Sequence, residues 1–106
     1  MIVASGERSR AVGWDALVIH PDDDVAVALR DIADGETVEV RQQGTLHRAP
    51  VRDAIPLGHK FALRSLSSGA MIRKYGEYIG VATVEIASGA HVHVHNMTSR
   101  RARPSS

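Results

Sequence analysis

Short stretches in which apolar and polar residues alternate recur along most of the chain. Period-two alternation is typical of half-buried β-strands, because successive side chains of a strand point to opposite faces. Proline cannot donate to a β-ladder, so Pro50 and Pro56 predict an irregular middle segment. Strands are predicted at Leu17–Ile19, Thr37–Val40, Ile79–Val84 and His91–Val94.

A loose repeat separates the predicted strands. In each copy an aliphatic residue stands three places before a glycine, and another follows the glycine by three places. The pattern is typical of a sharp corner, because the aliphatic side chain pins the turn to the core and glycine accepts a positive φ. Short helices ending at the glycine are the alternative, but each run is too brief for a stable isolated helix. Corners are predicted at Ile32–Asp34, Leu66–Ser68 and Ile86–Ser88.

The composition describes one small domain. The 106 residues are 43% hydrophobic but only 4% aromatic, so the core must be built from Val, Ala, Leu and Ile. A chain of this length fits a single domain and buries a limited share of its surface, which leaves room for a partner surface. We predict an all-β domain of short, bent strands over residues 15–97, with flexible segments at 1–14 and 98–106.

Residue types and segments that are absent from the sequence exclude several kinds of site and bear on the location of the protein. Cysteine is absent, which excludes disulfides, zinc–thiolate centres and cysteine nucleophiles and is typical of a cytoplasmic protein. No apolar segment is long enough for a signal peptide or a membrane span, so no membrane partner is predicted. The net charge of +1 does not indicate a nucleic-acid partner, and the arginine-rich end is interpreted as a solvated tail.

Three of the six histidines alternate with valines near the end of the chain, at His91, His93 and His95. On a strand, Val92 and Val94 would enter the core while the imidazoles share the outer face, an arrangement that suits a divalent transition metal. Same-face neighbours on a strand are ~6.6 Å apart, so three ligands from one straight strand cannot converge on one ion. The third ligand must come from His59, His20, a carboxylate or another chain; the alternative is an exposed polar face that happens to contain histidines.

Further chemical groups stand in two short motifs. In Gly58-His59-Lys60-Phe61 the glycine permits close backbone approach, His59 offers an acid or base, and Lys60 offers a positive charge for a carboxylate. Lys74 and Tyr75 could bind an anionic substrate or hold a loop, the alternative being a turn with the tyrosine lying on the core.

The acidic run Asp22-Asp23-Asp24 has two interpretations. It could contribute a ligand for a hard cation, but we favour the opening of a helical turn with N-cap residues. The sequence contains no nucleophile elbow, phosphate-binding glycine loop or dinucleotide fingerprint. It offers ligand groups without a recognisable reaction centre.

Four ordered blocks resemble the N-terminal domain of the altronate/galactarate dehydratase family, which includes the small subunits of its split members. Two departures stand out. The family usually has Asp-Asn where this chain has Asp23-Asp24, and the galactarate branch lacks the triple-histidine ending, so the chain is more similar to the altronate-like branch. The blocks are Ile19–Leu29, Gly58–Leu63, Ile72–Gly80 and Gly89–Asn96.

The resemblance implies an SAF-type domain with a β-clip fold, in a hydro-lyase that dehydrates a sugar acid or related hydroxy acid. It also implies a divalent metal, iron or manganese, and a large dehydratase subunit as partner, because family members carry a much larger C-terminal portion. Short exposed strand edges could in addition pair between copies of the chain. The hypothesis assigns catalysis to His59, substrate binding to Lys60, Lys74, Tyr75 and Asn96, and metal binding to His91, His93, His95 and His20.

Three functional interpretations stay open at this point. The first is a small subunit that completes the active site of a separate large subunit. The second is a stand-alone module that binds a carbohydrate or hydroxy acid without catalysis. The third is an interaction domain whose histidines are incidental.

Overall fold

A computed structural model describes residues 14–99, and within this range the chain is all-β without a helix. Accordingly, no described helix is long and apolar enough to cross a membrane. The strands of this range are β1 (Ala16–Val18), β2 (Val25–Ala28), β3 (Thr37–Gln42), β4 (Thr45–Pro50), β5 (Lys60–Ala62), β6 (Met71–Lys74), β7 (Glu77–Ala82), β8 (His91–Val92) and β9 (Met97–Ser99).

The strands form two sheets. The larger has the order β4-β3-β1-β2-β5-β8, and the smaller has the order β6-β7-β9. Neighbouring strands are antiparallel except β1 and β3, which run parallel. The all-β prediction is confirmed, and β1, β3 and β7 overlap three of the predicted strands.

Four corners with the same spacing, an aliphatic residue three places before a glycine, connect the strands. This is one corner more than the repeat predicted. The aliphatic residues of the corners are buried and bridge in pairs, Ile32 with Ile55 and Leu66 with Ile86, through backbone hydrogen bonds of 2.7–2.9 Å. The additional corner, Ile55-Pro56-Leu57-Gly58, has the same spacing, and Gly58 adopts a φ of +84°. This corner leads directly into His59.

The middle of the chain is more regular than the prolines predicted. Strand β4 pairs with β3 along its whole length, from Thr45 opposite Gln42 to Pro50 opposite Thr37. Pro50 is tolerated because it is the last residue of an edge strand, where a missing N–H donor costs little. The prediction of an irregular segment is therefore wrong at Pro50, whereas residues 51–59, which include Pro56, contain no strand and only an isolated bridge at Ile55.

Two small hydrophobic cores lie on either side of β5. Phe61, fully buried, belongs to the core that contains Ile32 and Ile55, whereas its neighbour Ala62 belongs to the core that contains Ile72. Successive strand residues face opposite sides, so β5 contributes to both cores. The residues at its start are thereby held by packing on both faces.

The acidic run does not open a helical turn, and that prediction is wrong. Asp23 and Asp24 are buried and accept backbone hydrogen bonds from the second sheet. Asp23 accepts from the N–H groups of Tyr75 and Gly76 at 2.9 and 2.8 Å, and from that of His20 at 3.2 Å. Asp24 accepts from the Arg73 N–H at 2.8 Å and pairs with Arg64. We call Asp23 and Asp24 the carboxylate clamp, since they tie the β1–β2 loop to β6 and the β6–β7 turn.

The predicted flexible ends largely fall outside the described residues. Trp14 is described, and β9 extends the ordered domain to Thr98 and Ser99, two residues into the segment predicted as a tail. The remaining parts, 1–13 and 100–106, lie outside the described range. Strand β9 has no alternating apolar pattern; it is defined by pairing with β7 through Gly80, Val81 and Ala82.

Candidate functional site

The pairing of β5 with β8 brings histidines from distant parts of the sequence together. Phe61 lies opposite His91, and the backbone N–H of His91 donates to the Asp53 carboxylate at 2.9 Å. His59 stands at the entry to β5, where its carbonyl accepts a hydrogen bond from the Ala28 N–H at 2.9 Å. Both imidazoles are therefore carried by backbone that is fixed by pairing rather than by free loops.

The chain turns sharply after Val92, and this turn gathers the last histidines. The Asn96 side chain organises it, because its Oδ1 accepts from the His93 N–H at 3.0 Å and its Nδ2 donates to the His91 carbonyl at 2.8 Å. Val92 is fully buried as predicted, but Val94 is 80% exposed. The predicted strand His91–Val94 is thus wrong beyond Val92, because the turn ends the alternation of faces.

Three imidazoles converge as a result of this arrangement. One ring nitrogen from each of His59, His91 and His93 lies within 4.8 Å of the other two. His59 Nδ1 and His91 Nε2 are 2.9 Å apart, and the His59 and His93 rings stack with centroids 4.4 Å apart. Two imidazole ligands at ~2.0–2.1 Å from one ion have nitrogens roughly 3–3.4 Å apart, so small side-chain adjustments would complete a metal site. The donor set fits a divalent transition metal with coordination positions left for water or a ligand.

We call His59, His91 and His93 the imidazole group; its electrostatics favour the uncharged forms of His91 and His93. Burial, followed by the neighbouring His59, lowers the pKa of His91 below its usual value. The pKa of His93 is lowered by burial, by His59 and also by Lys60. A neutral imidazole is the form that binds metal, since a proton competes for the same nitrogen lone pair.

Lys60 brings positive charge to the imidazole group, since it lowers the pKa of His93. Lys60 is half-buried, and burial together with the charge of Lys74 lowers its pKa. The Lys74 ammonium also lies 4.8 Å from the centre of the Tyr75 ring, a cation–π contact. Tyr75 is 48% exposed at a positive φ in the β6–β7 turn and does not lie on the core.

The structure places the remaining predicted site residues differently. The His95 ring lies beside His91 in a tilted arrangement, with centroids 5.3 Å apart, but its nitrogens are not part of the converging group. His20 lies against Gly76, where its Nδ1 accepts from the Asp22 N–H at 3.1 Å, and it does not join the group either. Both polar atoms of the Asn96 side chain are used within the turn, so its part in substrate binding stays a prediction.

Asp53 is the site residue that sequence reasoning missed. Its carboxylate holds the backbone of His91 and opposes the lowering of the His91 pKa. No motif surrounds Asp53, and it reaches the site through the β4–β5 connection. The additional corner, Ile55–Gly58, is the one sequence signal that could have indicated that this connection returns the chain toward β8.

A cleft of about 700 Å³ lies at the carboxylate clamp, away from the imidazole group. Its charged lining groups already pair with one another: Arg64 with Asp24, and Arg73 with Asp22 at 3.4 Å. Arg73 also donates to the Tyr78 hydroxyl at 2.6 Å. We therefore place the candidate site at the converging imidazoles, where no ion pair involving Lys60 is found among residues 14–99.

Known proteins share this domain. The family described as the altronate/galactarate dehydratase SAF domain matches residues 14–100. The altronate dehydratases of Escherichia coli (strain K12) and Bacillus subtilis (strain 168) are 47% and 44% identical over 78 residues, which are 74% of this chain. The chain spans only 15% of the length of each of those enzymes.

A second kind of relative has nearly the same length as the domain. The (2R)-sulfolactate sulfo-lyase subunit alpha of Chromohalobacter salexigens is 36% identical over 88 residues, covering 79% of this chain and 94% of that subunit. The same domain thus occurs within a long polypeptide and as almost the whole of a named subunit. With the family match spanning the entire described range, the chain belongs to the SAF domain family of the altronate/galactarate dehydratases.

Proposed function

We propose that this chain is the accessory domain or small subunit of a lyase that dehydrates a sugar acid or related hydroxy acid. In this proposal His59, His91 and His93 hold a divalent metal, and a larger polypeptide completes the active site. One observation carries it: three imidazole nitrogens from separate parts of the sequence converge within 4.8 Å. The neighbouring Lys60 and Lys74 add positive charge suited to an acidic substrate.

The lengths of the relatives support the need for a larger polypeptide. In the altronate dehydratases the matching segment is 15% of the protein, and in the sulfo-lyase it is most of a subunit designated alpha. A domain of this size with an open histidine site cannot enclose a substrate by itself. We infer that the proton-abstracting base and the rest of the pocket belong to the remainder of the assembled enzyme.

The chemistry of dehydration matches the groups present. A proton is removed from the carbon beside the carboxylate, the β-hydroxyl leaves as water after receiving a proton, and the resulting enol tautomerises to a 2-keto acid. A bound divalent ion would supply Lewis-acid stabilisation of the negative charge that develops on the substrate oxygens. Lys60 and Lys74 would attract the acidic substrate and offset its charge in the transition state.

The geometry changes the role proposed for His59. Because its Nδ1 converges with His91 and His93, His59 is better suited to hold the ion than to deliver the proton that sequence reasoning assigned to it. His95 lies beside His91 without belonging to the group and is exposed. An imidazole in that position can act as the general acid for the departing hydroxyl.

Calorimetric titration of the purified chain with Zn²⁺, Mn²⁺ and Fe²⁺ tests the metal part of the proposal. We expect His93→Ala to weaken binding about 100-fold or more, because one of three protein ligands is lost. The matched control is His47→Ala, since His47 is exposed on β4 at the opposite edge of the same sheet. Equal affinities in wild type and His93→Ala would refute the site.

The accessory role is tested by enzyme assay with altronate. The chain is assayed alone and together with the larger polypeptide that co-purifies with it from its native host. We expect activity only in the combination, with His93→Ala reducing it and His47→Ala leaving it unchanged. Full activity from the chain alone would refute the accessory role, and metal-dependent binding of altronate without a larger partner or turnover would favour the stand-alone binding module.

A further inference from the structure

The backbone of His91 and His93 is held by two side chains that do not belong to the imidazole group. The Asp53 carboxylate accepts a hydrogen bond from the His91 N–H at 2.9 Å. The Asn96 side-chain amide donates to the His91 carbonyl at 2.8 Å and accepts from the His93 N–H at 3.0 Å. Together these side chains bond both polar backbone groups of His91 and the N–H of His93.

Asn96 is itself fixed by the protein. It is buried, and its N–H donates to the His93 carbonyl at 3.1 Å. Its own carbonyl accepts from the Thr83 N–H at 2.9 Å, directly after the end of β7, which ties the turn to the smaller sheet. All of these contacts lie within the chain, so none of them requires an ion at the imidazole group.

Asp53 supplies an attachment from a different part of the sequence. It lies in the β4–β5 connection, where the N–H of its neighbour Arg52 donates to the Gly89 carbonyl at 3.0 Å. Gly89 approaches the connection so closely that a Cβ there would lie 2.5 Å from the Pro50 carbonyl oxygen. The connection and the chain entering β8 are thus packed backbone to backbone, and Asp53 holds the first residue of β8, His91.

We propose that Asn96 and Asp53 are positioning residues, which hold His91 and His93 in their converging arrangement before an ion arrives. The inference rests on the proposed function, in which these two histidines and His59 bind a divalent metal. It assigns Asn96 to the geometry of the metal ligands rather than to the substrate, because both polar atoms of its side chain are already bonded. Ligands that are ordered in advance lose less conformational freedom when the ion binds, so its affinity increases.

Substitution of Asn96 provides a test in which geometry and charge predict opposite results. Asn96→Asp retains an acceptor for the His93 N–H, but an ionised carboxylate cannot donate to the His91 carbonyl. Coulomb attraction alone predicts that the added negative charge tightens the binding of Zn²⁺. The positioning role instead predicts binding that is about 10- to 100-fold weaker, measured by calorimetry. Unchanged or tighter binding overturns the role of Asn96.

Asp53 is tested by a pair of substitutions. Asp53→Ala removes the acceptor of the His91 N–H and should weaken Zn²⁺ binding about tenfold. Asp53→Asn keeps an acceptor without the charge and should restore most of the affinity. Equal losses in the two variants would mean that the carboxylate acts through its charge, which overturns its positioning role. The control for lost stability is Asp23→Ala, which removes hydrogen bonds of the carboxylate clamp and should leave the Zn²⁺ affinity of the folded protein unchanged.

A measurement on the unsubstituted chain does not depend on how the variants fold. The sequence contains one asparagine, so labelling with ¹⁵N-asparagine gives a single pair of side-chain amide signals, from Asn96. Without Zn²⁺ we expect this amide to exchange with solvent about tenfold or more slowly than in the urea-unfolded chain, and to shift little when Zn²⁺ is added. Exchange that slows only after Zn²⁺ is added would show that the turn forms around the ion, and overturns the inference.

The outcomes separate this inference from the proposed function. A wild-type chain that binds no Zn²⁺ refutes the metal site, and the positioning role fails with it. A wild-type chain that binds Zn²⁺ with the same affinity as Asn96→Asp and Asp53→Ala retains the metal site and overturns the positioning role alone.

Discussion

Two charged regions lie near the β6–β7 hairpin, and they differ in whether their charged groups are paired. In the carboxylate clamp, Asp23 accepts three backbone hydrogen bonds and Asp24 pairs with Arg64 and the Arg73 N–H. Beyond the clamp, Lys60 and Lys74 repel one another and no described carboxylate pairs with them. Both regions are polar and partly buried, yet only in the first do the charged groups have hydrogen-bond or ion-pair partners among the described residues.

The difference distinguishes charges that hold the fold from charges that await a ligand. Buried polar groups are normally satisfied within a protein, so a satisfied carboxylate needs no functional explanation. Partly buried cations gathered without a counter-charge oppose folding and are retained at functional sites, where stability is commonly lower than it could be. The cleft at the clamp is accordingly explained by the fold, and the converging imidazoles are the better candidate for function.

Removing a clamp carboxylate should have the largest effect on stability. Asp23→Ala leaves three backbone N–H groups without their acceptor, two of them in the β6–β7 turn, and should lower the free energy of unfolding by about 2–4 kcal/mol. Urea denaturation measures the change. Asp22→Ala is the control, because the Asp22 side chain is 63% exposed, and should change stability by under about 0.5 kcal/mol. Similar losses in both variants would show that the clamp is not structural.

Neutralising Lys60 should increase the free energy of unfolding, in contrast to the loss of a clamp carboxylate. Lys60→Met keeps the aliphatic stem but removes a partly desolvated charge beside Lys74, so the free energy of unfolding should rise. The expected gain is about 0.5–1 kcal/mol, since solvent screens a half-buried group. The same urea titration measures it, with Arg48→Met as a control near zero. A destabilised Lys60→Met would mean that the lysine makes a favourable contact and would break the comparison.

Acid should weaken the metal-free protein through the imidazole group. Burial and neighbouring histidines hold the folded-state pKa values of His91 and His93 below the unfolded value of 6.5. The unfolded chain therefore takes up protons first as pH falls through 6.5, and stability decreases down to the folded-state pKa values. Stability measured in small pH steps across this window should decline in wild type and less in His91→Ala. A decline of the same size in both would place its cause elsewhere.

The fold could be predicted from the sequence because its signals are local. Each corner needs one aliphatic residue and one glycine at fixed spacing, and the same rule would have found Ile55–Gly58 had Pro56 not suggested an irregular segment. The clamp could not be predicted, since Asp23 finds its donors at Tyr75 and Gly76, about fifty positions away. Consecutive aspartates resemble a helix start until those distant donors are known.

The candidate site was predictable in its residue types but not in its geometry. The alternation of histidine and valine correctly placed Val92 in the core. The spacing argument pointed outside the strand to His59, which the structure brings close to His91 and His93. The pattern could not predict the turn held by Asn96, because this turn depends on one side-chain amide that bonds to two backbone groups. A period-two pattern reports which face a residue takes only while the strand continues.

The smallest expected effect on stability is that of a substitution at Val94, which can be compared with the same substitution at Val92. Val94→Ser should change the free energy of unfolding by less than about 0.5 kcal/mol, because Val94 is 80% exposed at the tip of the turn. Val92→Ser, the matched control, removes a fully buried side chain and places a hydroxyl in the core, at a cost of about 2–4 kcal/mol. Equal losses in the two variants, measured by urea denaturation, would mean that the strand continues through Val94. His91, His93 and His95 would then lie along one straight edge, with His91 and His95 ~13 Å apart. The turn held by Asn96 would no longer explain why His93 converges with His59 and His91.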